Sequence, residues 1–121
     1  MELIPAVERT DEFDSAEEAR DAARATLETL GERLARGEAM DIADFLGPDP
    51  TAWIVEDQHE AAAEFDAEEF IERVADREGV SKQVAHRHAQ AVFDGLESAV
   101  PGSELRRART QLPDGYGMLF S

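Results

Sequence analysis

An all-α domain is the fold that this chain of 121 residues predicts, and three observations predict it. Apolar residues recur at spacings of three and four through most of the chain, the period of one helix face. No segment sustains the two-residue alternation of β-branched side chains that marks a half-buried strand. The chain also repeats itself, because residues 15 to 48 slide forward by 66 positions onto residues 81 to 114 without a gap. Ser15 then meets Ser81, Ala19 meets Ala85, Ala23 meets Ala89, Ala25 meets Ala91, Leu30 meets Leu96, Glu38 meets Glu104 and Leu46 meets Leu112. Unlike pairs agree in kind, with Leu27 over Phe93 and Leu34 over Val100. What recurs is mostly small or apolar, a packing pattern and not a set of reactive groups. Each unit alone has about 60 residues, too few for a large core. The expectation is therefore a single domain over 1–121, with tandem copies at about 2–56 and 66–121 joined by a linker at about 57–65. The two copies of this short multi-helix unit are expected to pack with pseudo-two-fold symmetry around one shared core.

The elements follow in order. A first helix near Glu2 to Val7 matches Glu69 to Val74 at an offset of 67, and Pro5 weakens it. Ser15 with Glu18 is a capping box, which opens a helix to about Ala35. Its apolar stripe is Ala19, Ala23, Leu27, Leu30 and Leu34, and Gly37 is its expected stop. A short helix from Glu38 to Leu46 presents Met40, Ala43 and Leu46. Gly47-Pro48-Asp49-Pro50 breaks the chain, with Asp49 as cap and Pro50 in the first turn of a helix carrying Trp53 and Ile54. Asp57 to Glu64 reads as a helix end plus the linker. The second copy opens with Asp66 as N-cap, Glu69 closing the box, and Phe65 and Phe70 as a hydrophobic staple. That helix buries Phe70, Ile71 and Val74 and ends at Gly79. Ser81 caps a long helix bearing Val84, Ala85, Ala89, Val92, Phe93, Leu96 and Val100, which Pro101-Gly102 ends. Ser103 opens a short helix to about Leu112, and a last turn holds Tyr116, Leu119 and Phe120.

Composition removes several classes of function. With no cysteine there is no disulfide framework, thiolate zinc site or cysteine nucleophile. The opening Met-Glu-Leu-Ile-Pro-Ala-Val-Glu lacks a basic flank and a long apolar run, so neither a signal peptide nor a membrane span is expected, and the expected compartment is the cytoplasm. Twenty-eight acidic against 12 basic residues give a net charge of −16, which argues against general affinity for nucleic acid. Lys82 is the one lysine; every other cation is arginine. Acid-rich, lysine-poor chains of this kind match halophilic cytoplasms, where hydrated carboxylates maintain solubility. The charge is uneven: residues 1 to 60 hold 17 acids and 5 bases, and residues 61 to 121 hold 11 and 7. Within residues 81 to 114, Lys82, Arg87, Arg106, Arg107 and Arg109 outnumber Asp94, Glu97, Glu104 and Asp114.

The chemistry-bearing residues do not converge. His86 and His88 lie two apart on a helix, about 200° around its axis, so they cannot chelate one ion from it. His88 falls on the core stripe, where the first copy has Ala22, and reads as a partly buried histidine with one satisfied nitrogen, or else a pH switch. His86 reads as surface. Glu56 and His59 have the Glu-x-x-His spacing of di-iron bundles, but the repeat supplies no second motif. No serine sits in a Gly-x-Ser-x-Gly elbow and no glycine-rich phosphate loop is present. The sequence thus assigns no catalytic, cofactor or metal residues. Its candidate interaction residues are those found in one copy only: Arg87, Arg106, Arg107, Arg109 and Trp53.

Glu69-Phe70-Ile71-x-x-Val74, Arg24-Ala25-Thr26-Leu27 with Leu30, Glu32-Arg33-Leu34 before Gly37-Glu38-Ala39, and Gln111-Leu112-Pro113 leading to Leu119-Phe120 form an ordered set. In order and spacing they resemble the prokaryotic family known as domain of unknown function 2267, over about Leu3 to Phe120, and the composition resembles a haloarchaeal member. The resemblance implies a tandem helical repeat and carries no catalytic residues. The chain departs from the family at Leu46-Gly47-Pro48, where Leu-Pro is expected, and at Gln90, which stands in place of an arginine. The expected function is a non-enzymatic protein-interaction or scaffolding module whose partner is protein, itself or another, with a homodimer as one form. The alternative is an anion- or nucleic-acid-binding regulator using Arg87, Arg106, Arg107 and Arg109.

Overall fold

Two 18-residue helices, α2 (Ala16–Arg33) and α6 (Lys82–Ala99), run through the centre of the molecule, and their boundaries stand 66 positions apart at both ends. The computed structural model describes residues 3–10, 12–55, 65–112 and 114–119. Around the central pair lie α1 (Leu3–Glu8), α3 (Arg36–Ala43), α4 (Pro48–Val55), α5 (Ala67–Glu78), α7 (Gly102–Thr110) and a closing 3-10 turn, Asp114–Met118. The described residues hold no strand, so the protein is all-helical, and no helix among them is long and apolar enough to cross a membrane.

Local chemistry starts both long helices alike. The Ser15 hydroxyl accepts the Glu18 N–H at 3.1 Å and the Ser81 hydroxyl accepts the Val84 N–H at 3.2 Å, each satisfying a donor that a helix start leaves free. They also end alike, with Leu34 and Val100 extended, buried, and donating N–H to Leu30 and Leu96 at 3.0 and 2.8 Å. Gly37 does not stop α2; it lies inside α3. The stop is tertiary, because Leu34 turns into the core and Gln111 Oε1 takes the next N–H, that of Ala35, at 2.9 Å. Starting α3 at Arg36 also rotates its inner face to Ala39, Ile42 and Ala43, and leaves Met40 outside. Pro101 stands at the N-cap of α7, so Ser103 is within that helix and not its cap. Pro48 opens α4, which puts Asp49 in the first turn, bonded to Arg20 at 2.5 Å. The capping carboxylate of Asp66 and the left-handed Gly79 at φ 74° bound α5 as its sequence requires. Pro5 sits in the first turn of α1, where the missing N–H costs no helical bond.

Packing crosses between the halves. α1 lies against α6 and α5 against α2, so the opening helix of each half packs on the long helix of the other, while α2 and α6 also touch. Gly95 makes the α1 crossing possible, since a Cβ there would stand 2.7 Å from Val7 Cγ2 and 3.3 Å from Leu3 Cδ1. Phe70 sits at the centre, edge-on to Phe93 at 5.9 Å and to Tyr116 at 5.6 Å. The Tyr116 hydroxyl donates to the Phe65 carbonyl at 2.8 Å, and burial pushes the phenol up to about 12. α4 packs on α2 and α3, and α7 touches α3. The last contact brings the two short helices of the two halves together, and it positions the charged corner described next.

Candidate functional site

The sequence-predicted residues are dispersed. Trp53 is a core residue, 7% exposed, with the Arg20 guanidinium 5.0 Å above its ring, so it serves packing. Arg87 projects from α6 and faces Glu12 at 3.5 Å, an ion pair between the two halves of the chain. Arg106, Arg107 and Arg109 are all exposed on α7, away from the core face that buries Leu105 and Ala108. Arg107 reaches Glu104 at 3.9 Å. The structure therefore gathers three of the four arginines on one short helix and leaves Arg87 on another. Glu56 and His59 lie outside the described residues.

His88 is the most enclosed titratable group on the long helices, 3% exposed. Both ring nitrogens meet carboxylates: Nδ1 contacts Glu78 at 2.5 Å and Nε2 contacts Glu18 at 3.3 Å. The Phe13 ring packs 4.9 Å from its centroid. Both ring nitrogens are thus engaged, and neither is left for a substrate. Burial holds the Glu78 carboxyl above the ordinary range, with His88 working the other way and Asp21 and Glu18 adding to the rise. This is an internal clamp joining α2, α5 and α6. The sequence anticipates one satisfied nitrogen, and both are engaged because the partners come from helices it cannot place.

The α3 to α7 corner carries a second carboxylate group. One oxygen each from Glu38, Asp41 and Glu104 lies within 4.8 Å of the others. Glu38 is 8% exposed, and its Oε1 and that of Glu104 are buried without a hydrogen-bond partner. An orphaned buried oxygen costs on the order of 1–3 kcal/mol. The Glu38 carboxyl is held above its ordinary range, first by burial, then by Glu104 and Asp41, while Arg107 lowers it. Sequence reasoning assigns no site here. Its one available signal is that Glu38 and Glu104 are acids matched in the sequence at an offset of 66 positions, and only the α3 to α7 contact makes them neighbours.

Beside this corner the surface turns apolar. Met40 and Phe45 are the large hydrophobic side chains exposed among the described residues, at 50% and 39%. A groove of about 220 Å³ between α3 and α4 is lined by Met40, Ala43, Asp44, Thr51 and Val55. Thr51 ties its floor to α3 by donating to the Ala43 carbonyl at 2.8 Å. A family model described as an uncharacterized conserved protein (DUF2267) matches residues 1–119 of the chain. No curated protein matches it.

Proposed function

The chain belongs to the DUF2267 family of uncharacterized conserved proteins, and from that premise we propose that it works by binding protein, its first partner being a second copy of itself. The observation that carries this reading is the groove between α3 and α4. Met40 in its lining, and exposed Phe45 in the turn after α3, leave apolar area in water, which association removes at about 25 cal/mol per Å². Exposed Asp44 lines the groove, and the complementary charge exists on the same chain in Arg106, Arg107 and Arg109 of α7. A second copy thus offers what the groove lacks, a short basic helix. The anion-binding alternative is the weaker one, because Arg87 stands on a different helix paired with Glu12 and Arg107 stands beside Glu104.

The setting and the symmetry belong to the same reading. The acidic, arginine-rich surface suits a cytoplasm that accumulates salt, where the Debye length falls to about 3 Å and contacts between charged copies rest on apolar anchors. The two halves act as tandem copies about a pseudo-two-fold axis; the matched caps and lengths of α2 and α6 and the crossed packing of α1 and α5 support it. Met40 and Phe45 have no apolar counterpart at Arg106 and Gln111, so the groove belongs to one half only.

Sedimentation equilibrium in molar KCl tests the reading. Wild type is expected to self-associate as concentration rises from micromolar to near-millimolar, and Met40→Glu with Phe45→Glu to stay monomeric with an unchanged helical spectrum. A wild type that stays monomeric throughout, or a double variant that associates as tightly, contradicts it.

A further inference from the structure

We propose that Glu38, Asp41 and Glu104 form a binding site for a hard divalent cation, Ca²⁺ foremost, which bridges α3 and α7. The cluster brings one carboxylate oxygen from each residue within 4.8 Å of the others. Oxygens on one Ca²⁺ stand roughly 2.3–2.6 Å from it, and three of them within 4.8 Å of one another close on such an ion with small side-chain movements. Three carboxylates and no nitrogen or sulfur donor select a hard ion over zinc or copper. The independent sign is the orphaned oxygen of Glu38. The residue is 8% exposed, and its Oε1 is buried with no hydrogen-bond partner among the described residues. Glu104 Oε1 is orphaned in the same way, while its Oε2 faces Arg107 at 3.9 Å.

A fold does not ordinarily leave two carboxylate oxygens of one acidic cluster buried and unpartnered, since repulsion and lost hydration both oppose it. A cation reverses both effects. Exposed Asp41 gives the ion a path from solvent, and water completes its shell on that side. Arg107 is 70% exposed along its side chain, so it is free to turn toward water when the ion takes over neutralisation of Glu104. The two glutamates hold equivalent places in the two halves, 66 positions apart. The ion would therefore fasten α3 to α7.

The test uses the full chain, freed of metal with a chelator and held in molar KCl so that general screening is already saturated. Titration with CaCl₂ in a calorimeter is expected to show one ion bound per chain, and saturation to raise the melting temperature on the order of 5 °C. Glu38→Gln and Glu104→Gln keep the side-chain shape and are expected to lose both signals, whereas Asp76→Asn, at an exposed position of α5, keeps them. Should a Gln variant fail to fold, Mn²⁺ added to wild type serves instead, broadening amide resonances of residues 36–43 and 102–110 before others. No heat and no shift in wild type, a shift retained in the Glu38→Gln/Glu104→Gln double variant, or broadening centred elsewhere would each overturn the site.

Discussion

Glu38 shows how much of a residue's chemistry is set by a neighbour that the sequence cannot seat beside it. Its match with Glu104 is legible from the repeat, but their meeting depends on α3 and α7 sharing a corner, which no local signal encodes. The consequence for pH has a definite sign. An acid whose folded-state pKa is raised binds its proton more tightly in the native state, so it adds stability that is fully present below the model value of 4.5 and is lost as pH rises through the folded value. Without divalent cations, Glu38→Gln should therefore melt higher than wild type at pH 7, and the two curves should converge as pH falls toward 4.5. A difference that grows on acidification would contradict the burial argument. His88 teaches the same lesson in reverse. Its place on the core stripe is readable from Val84 and Val92 around it, whereas its two carboxylate partners arrive from α2 and α5 and are not.

At the scale of elements, what was legible was what local chemistry decides. The caps Ser15, Asp66 and Ser81, the stripes of α2 and α6 and the left-handed stop at Gly79 all follow from spacing and side-chain hydrogen bonding. The starts of α3, α4 and α7 do not, since Leu34 burial, Gln111 reaching across the molecule and prolines at the helix entries set them. That phase error matters for function, because it decides that Met40 faces water. The pairing of α2 with α6 carries a prediction of its own. Leu30 and Leu96 are both buried at matched places, so Leu30→Asp and Leu96→Asp should each destabilise by roughly 3 kcal/mol or more, and to similar extents. Urea denaturation measures this, and a silent change at either position contradicts the equivalence of the two helices.

At the scale of the whole molecule, charge is the governing quantity. A net of −16 on 121 residues opposes compaction wherever it is unscreened. The ion pairs that bind element to element, such as Arg73 and Arg77 with Glu32, offset part of this, yet partly exposed pairs contribute at most about 1 kcal/mol each. The melting temperature should therefore climb as KCl rises from dilute buffer to molar concentration, and a salt-independent melt would remove the argument for a saline cytoplasm. In the proposed self-association, the same screening would weaken charge steering between copies and leave the apolar groove as the anchor. Hydrogen exchange by mass spectrometry in molar KCl, compared between low and high protein concentration, reads that anchor most directly. Added protection at high concentration is predicted in residues 36–55 and in α7. Protection confined to the α2 to α5 face, or none at all, would contradict the claim that this domain works through the α3 to α4 groove.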